Sequence, residues 1–299
     1  MVNRYNTQMS ASKAPLGGVF MVLLGTVWFS AMSLFIKALG PDVPVSWVAL
    51  IRSAVMIPFV WVFLRKEKIS IKSKNGLRLF LRGFWGASAM VCVFWALPRM
   101  PIAEASVLFY ASPLYSALWG TMFMGEKLDK TAIICIGVAF LGVYVTFRPE
   151  LAFDSMPYYA ALAAGILSSL AFATIKSLAS TEPALRIIFY FGVVASAIFL
   201  PGAITSGFWP DARQWGLLLL VGLSASIGQL FLTTGISRAP VSKASFGALF
   251  NIVLNMLGGW LIWHETPDAI TLLGCLLVTG GILGLTQEMR RRFMVTIAQ

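Results

Sequence analysis

Apolar residues run in long unbroken blocks along this chain, divided by short polar connections, from about residue 15 to residue 286. A helix needs roughly 20 apolar residues to cross a hydrocarbon core about 30 Å thick. Blocks of that size predict helices over 15–37, 45–64, 80–98, 102–124, 130–147, 157–178, 184–206, 214–236, 240–263 and 268–286, the two starting at 130 and 268 being short. The strands of an outer-membrane barrel would alternate apolar and polar residues, and these blocks do not. The pattern predicts an all-α integral membrane protein of ten transmembrane helices.

The blocks repeat. Residues 14–147 and 153–286 align without a gap at a fixed offset of 139, which carries Ser30 to Ser169, Lys37 to Lys176, Gly83 to Gly222 and Arg99 to Arg238. The same offset matches Pro101 with Pro240, Glu126 with Glu265, Asp129 with Asp268 and Gly142 with Gly281. Apolar matches come cheaply in a hydrophobic chain, whereas Lys, Arg, Glu, Asp and Pro matches at one offset do not. The organisation expected is a polar tail over 1–14, a five-helix repeat over 15–147, a second over 153–286 and a basic tail over 287–299. Five is odd, so the second repeat starts from the opposite face of the membrane and the two repeats are inverted. Transporters commonly build alternating access from such a pair.

Composition and charge fix the setting. The chain is 58% hydrophobic and 12% charged, far below the roughly 25% charged of a soluble domain. The net charge of +11 is unevenly spread. With the N-terminus cytoplasmic, 18 Lys and Arg residues fall inside, Arg52 falls within a helix, and only Lys37, Arg99, Arg148 and Arg213 fall outside. The positive-inside rule therefore predicts an inner-membrane protein with both termini cytoplasmic. The basic stretch 65–82 is expected to lie against anionic lipid headgroups, and nucleic acid is not expected as a partner. Nothing at the N-terminus has the pattern of a cleavable signal peptide. Cys92, Cys135 and Cys275 fall within apolar helices and read as free thiols, and a lone histidine, His264, cannot build a histidine metal cluster. No phosphate-binding Gly-Lys-Ser/Thr loop is present, so ATP is not expected as the energy source, and no cofactor is expected.

Several motifs carry a resemblance. Leu97-Pro-Arg-Met-Pro-Ile-Ala-Glu-Ala-Ser, Ala111-Ser-Pro-Leu and Gly125-Glu126 in the first repeat resemble the EamA-type drug/metabolite transporter superfamily. So do Gly228-Gln229 and Arg238-Ala-Pro240 in the second, and Arg52 in helix 2. The resemblance spans nearly the whole chain and implies a carrier of small solutes without naming the solute. One departure is that Asn251-Ile252 stands where the superfamily usually repeats the proline, often as Glu-Pro.

Individual residues then gain candidate roles. Arg52 lies about 10 Å below the surface at 1.5 Å per residue, where an unpaired charge is costly. Glu104, opening helix 4 on the same side, is its nearest expected partner. That pair would fix helix 2 against helix 4, or serve as a gate or a contact to a solute carboxylate. Lys243 aligns with Glu104, and would snorkel to the interface or attract an anionic solute group. Pro113 removes a backbone hydrogen bond inside helix 4 and predicts a kink. On helix 9, Asn251 and Asn255 share one face and need partners from another helix or from cargo. A midplane site between helices 4 and 9 would be lined by Tyr110, Phe246, Asn251 and Asn255, with Trp28, Ser169 and Gln229 as further wall residues. Gly83, Gly86, Gly258 and Gly259 are expected to admit close helix contacts. Glu126 and Glu265, with Asp129 and Asp268, are expected to stabilise the starts of the helices that follow them. The function expected is secondary transport of a small polar organic metabolite such as an amino acid or a related solute. The competing classes are a passive channel, for which no charged pore ring appears, and a membrane-embedded transferase, for which clustered acids or histidines are missing.

Overall fold

The computed structural model describes residues 15–112, 114–115, 119, 130–147, 156–178, 181–238 and 241–298. Among these, the chain forms ten α-helices and no strand. They are α1 (Pro15–Leu39), α2 (Val45–Lys66), α3 (Gly76–Ala96), α4 (Ile102–Tyr110), α5 (Lys130–Phe147), α6 (Met156–Leu178), α7 (Ala184–Thr205), α8 (Ala212–Arg238), α9 (Val241–Trp263) and α10 (Ala269–Ala298). A 3-10 turn, Leu97–Arg99, joins α3 to α4.

Local chemistry sets the helix ends. Pro44, Pro101 and Pro183 precede α2, α4 and α7 with ψ between 132 and 143°, extended values that turn the chain into each helix. Gly40 closes α1 at φ +83°, a left-handed conformation open to glycine at no steric cost. The Asp268 carboxylate accepts the Thr271 N–H at 2.9 Å and so caps α10 as expected. α10 then runs on through Arg290–Arg292 to Ala298, so the expected basic tail over 287–299 is, as far as Ala298, the end of that helix.

Among the described residues six helices are long and apolar enough to cross a membrane, and Ile133–Thr146, Phe250–Trp263 and Ala269–Gly284 are shorter apolar stretches. The bundle's outer surface is apolar as well: Ile134, Ile204, Leu261 and Leu276 are all more than 60% exposed. A soluble monomer rarely shows so much exposed apolar side chain. This is a multi-pass membrane protein.

Close helix contacts recur in reciprocal sets at the offset of 139. A Cβ on Gly142 would meet the backbone of Val278 and Gly274, while one on Gly281 would meet that of Ala139 and Cys135. Likewise Gly83 abuts Val194, and its aligned residue Gly222 abuts Val55. The pairs of helices in contact follow the same rule: α1 with α8 matches α6 with α3, α1 with α9 matches α6 with α4, and the pairs α2 with α7 and α5 with α10 each map onto themselves. Small residues at these points let backbones approach where no hydrophobic force drives helices together.

Candidate functional site

Asn251 and Asn255 both face inward from α9, 0% and 1% exposed. Asn255 Nδ2 donates to Ser106 Oγ on α4 at 2.7 Å and to Asn251 Oδ1 at 2.9 Å. Its Oδ1 accepts the Ser30 hydroxyl of α1 at 2.5 Å. Asn251 Nδ2 donates to the Thr26 carbonyl of α1 at 3.1 Å. The Asn255 amide therefore spends both N–H groups and its carbonyl within the protein, tying α1, α4 and α9 together. In this conformation the asparagines take the interhelical role open to them. Ser169 on α6 is fully buried and accepts the Trp119 indole N–H at 2.7 Å. Tyr110 is half-buried with its ring edge-on to Phe109, and Trp28 and Gln229 are half-buried on α1 and α8. Pro113 and the side chains of Lys243 and Phe246 lie outside the described residues.

Arg52 and Glu104 do not meet. Glu104, on α4, accepts hydrogen bonds from Tyr158 of α6 and, at 3.0 Å, from Thr271 of α10. It also borders a cavity of about 390 Å³ shared with His264, Glu265 and Asp268. Arg52 instead turns toward α3 and α7, where Nη1 donates to the Met90 sulfur at 3.2 Å and the guanidinium lies 5.2 Å from the centre of the Phe191 ring. The expectation of an Arg52–Glu104 pair is corrected: both sit at suitable depths, but they point to different sides of the bundle.

Arg82 departs from expectation too. Expected with the headgroup-facing stretch 65–82, it is buried on α3 with its guanidinium 4.2 Å from the same Phe191 ring. Arg65, Lys66, Lys68, Lys72, Lys74 and Arg78 are exposed. Among the described residues the Nε atoms of Arg52 and Arg82 have no hydrogen-bond partner, nor has the buried Ser53 hydroxyl. Burying an ion costs several kcal/mol, and a ring contact returns about 0.5–2 kcal/mol. Phe191 alone does not offset two cations.

A further contact departs from the pattern's expectation. Glu265 is expected to serve the start of the following helix, but its carboxylate accepts the Ile102 N–H of α4 at 3.1 Å and pairs with Lys37 of α1. Lys37 Nζ also donates to the Met100 carbonyl at 2.9 Å and lies 5.7 Å from the Trp263 ring. One side chain thus ties the ends of α1, α4 and α9 together at one end of the bundle. A signal for it exists in the sequence, since Lys37 and Glu265 are both positions matched at the offset of 139. Glu126 lies outside the described residues.

A bundle of long apolar helices with an apolar outer surface and an inward-facing polar network is a polytopic membrane protein. Residues 16–148 and 155–287 each match the EamA-like transporter family, and the chain belongs to it. It is 30% identical over 276 residues to the pseudopaline exporter CntI of Pseudomonas aeruginosa (strain UCBPP-PA14), covering 90% of this chain and 96% of that one. It is 26% identical over 281 residues to the S-adenosylmethionine uptake transporter of Rickettsia conorii, covering 90% and 92%. A solved crystal structure with a TM-score of 0.68 and 19% identity, covering 92% of this chain and 98% of that one, has the same fold. The family and these relatives are transporters of small molecules, not enzymes.

Proposed function

We propose that the chain is a secondary transporter that carries a small polar organic metabolite across the inner membrane by alternating access. Its ten helices would span the membrane as two inverted five-helix repeats. The reciprocal contacts about Gly142 and Gly281 carry this reading, because an interface that maps onto itself at the repeat offset is what a two-fold-related duplication produces, and an odd number of helices per repeat would make that duplication inverted. The Lys37–Glu265 contact supports it further as a closure of one end. By the charge asymmetry that end would lie outside and both termini in the cytoplasm. The solute path would run between α4 and α9, walled by Trp28, Tyr110, Ser169, Gln229, Phe246, Asn251 and Asn255. Asn251 and Asn255 would be released to the solute as α1, α4 and α9 part. Glu104 and Lys243 would act near its two mouths, with Pro113 loosening α4 between them. The exposed basic residues between Arg65 and Arg78 would contact anionic headgroups.

The relatives name two probes, pseudopaline and S-adenosylmethionine. Proteoliposomes preloaded with either unlabelled compound should accumulate the labelled one transiently and saturably from outside. A passive channel gives no such counterflow, and that result with a solute shown to cross the membrane would overturn the carrier reading.

A further inference from the structure

Two guanidinium groups are buried side by side in the bundle, with no carboxylate among the described residues to balance them. Arg52 of α2 is 5% exposed and Arg82 of α3 is 8% exposed, both over the one ring of Phe191 on α7. Gly86, one turn beyond Arg82, leaves the space that the Arg82 guanidinium fills, and a Cβ there would collide with Nη1. Among the described residues no carboxylate pairs with either arginine. The sulfur of Met90 is a weak acceptor for one N–H of Arg52, and both Nε–H groups and the neighbouring Ser53 hydroxyl remain unused.

Purely structural buried charges are normally paired or fully hydrogen-bonded. These two are neither, and like charge on like charge raises the cost of keeping them together. A guanidinium presents its N–H groups in a planar fork that matches carboxylate and phosphate oxygens. Nor is the arrangement a by-product of the duplication. The positions aligned with Arg52 and Arg82 are Phe191 and Val221, so the first repeat alone supplies both cations.

We propose that Arg52 and Arg82, with Ser53, form an anion-binding subsite between α2, α3 and α7 that takes a carboxylate or phosphate group of the transported solute. The proposal rests on the carrier reading only in treating the bound anion as cargo; anion binding itself is measured without transport. The anion would sit between the two forks, neutralise the pair and be hydrogen-bonded by the unused N–H groups. A solute whose only charge is positive would gain nothing there.

The test uses the full-length protein purified in maltoside micelles, titrated with sodium citrate or inorganic phosphate against sodium chloride at equal ionic strength. Citrate or phosphate is expected to raise the melting temperature saturably and chloride is not. Arg52→Gln and Arg82→Gln should each weaken half-saturation about tenfold or more, the loss expected for a charge-assisted hydrogen bond. No saturable effect on the wild-type protein, or the same half-saturation in both variants, overturns the proposal. If either variant fails to fold, phenylglyoxal modification of the wild-type protein, resolved by peptide mass spectrometry, decides. Citrate should then protect Arg52 and Arg82 but not Arg65, Arg78 or Arg99, and unchanged modification at the first two overturns the proposal. Protection in nanodiscs by phosphatidylglycerol but not by citrate would assign the site to a lipid headgroup and overturn it as a solute site. Counterflow measured separately keeps the two readings apart: a carrier that binds no anion fails only here.

Discussion

Asn255 and Asn251 differ in how much of their hydrogen bonding the fold consumes, and that difference is measurable. Asn255 serves Ser30, Ser106 and Asn251 at once, whereas Asn251 gives one N–H to the Thr26 carbonyl and accepts from Asn255. Replacing Asn255 by Leu keeps the bulk but leaves the Ser30 hydroxyl and the Asn251 amide oxygen without their partner in a buried interface, and takes one donor from Ser106, whose hydroxyl still donates to the Ile102 carbonyl at 2.7 Å. Each buried group left unpaired costs about 1–3 kcal/mol, although a serine hydroxyl can turn back to its own helix backbone. Asn255→Leu should therefore lower stability in micelles by at least about 1–3 kcal/mol, and Asn251→Leu by less. The two effects should not add, because each residue is the other's partner. For solute binding the order is expected to reverse, since Asn251 keeps a free N–H in this conformation: Asn251→Leu should weaken solute affinity more than Asn255→Leu does. Unchanged affinity in a destabilised Asn251→Leu protein would move the solute site away from α9. The sequence places these amides on one face and requires partners for them. It does not say that α1 supplies half of those partners, because that depends on which helix lies opposite.

At the scale of elements, hydropathy determines which segments are helices but not how each is rotated about its axis. All ten predicted helices have counterparts, although the expected span 102–124 is described as α4 only over Ile102–Tyr110. Depth in the membrane can be counted along a helix, and Arg52 and Glu104 have depths that permit pairing. Rotation decides against it, turning one to α3 and α7 and the other to α6 and α10. Arg82 escapes the pattern for a simpler reason. α3 begins at Gly76 rather than near residue 80, which puts Arg82 well over a turn inside the helix. Two connections show what else pattern alone leaves hidden. The Lys37–Glu265 contact, with Lys37 8% and Glu265 26% exposed, holds three helix ends together. Losing it by Glu265→Gln should cost the closed state about 1–3 kcal/mol, roughly a fivefold to 150-fold shift toward opening. In a protein freed of its native cysteines, Ile36→Cys, buried beside Lys37 in α1, should then react with a membrane-impermeant maleimide about tenfold faster than in the Glu265 background. An equal rate would show that the contact does not hold this end shut. At the connection after α2, Glu182 accepts hydrogen bonds from Ser73, from Asn75 at 2.8 Å and from Arg186 at 2.6 Å. Burial works to raise the Glu182 pKa, but these donors and the Arg186 charge outweigh it and hold the carboxyl below its ordinary value of 4.5. A depressed folded-state value stabilises the loop above the unfolded value and loses that stabilisation as pH falls through the folded one. The anchor should thus hold at neutral pH and fail only below the ordinary carboxylate range. Glu182→Gln removes the charge at every pH, so trypsin at neutral pH should cut after Lys72 and Lys74 faster in this variant, and unchanged cutting would show that Glu182 does not anchor the loop.

At the scale of the whole molecule, the offset of 139 is both a pattern in the sequence and a rule for contacts. The match of residues 16–148 and then 155–287 to one family repeats that offset. If the two halves form one interface mapped onto itself, equivalent damage on either side should have equivalent consequences. Gly142 and Gly281 supply the sharpest comparison. A side chain on Gly142 would press on the α10 backbone, with the Val278 nitrogen 2.7 Å and the Gly274 oxygen 2.8 Å from its Cβ. One on Gly281 would press on the α5 backbone, with the Cys135 oxygen at 2.6 Å and the Ala139 nitrogen at 2.8 Å. Backbone cannot swing aside as a flexible side chain can, so α5 and α10 must separate. Overpacking of this kind typically costs about 1–3 kcal/mol. Gly142→Leu and Gly281→Leu should each lower stability by a similar amount, and the double variant should lose less than the sum, because the first separation already makes room for the second. Gly137 and Gly280, on the same two helices, have open space where a Cβ would stand, with nothing within 4 Å of it, so Gly137→Leu and Gly280→Leu should change stability little. Unfolding of the five variants in micelles, followed by tryptophan fluorescence, measures all of this in one series. Harm from only one member of the Gly142–Gly281 pair, or strict additivity in the double variant, would mean that the interface is not shared between the halves, and the inverted-repeat reading of transport would lose its main support.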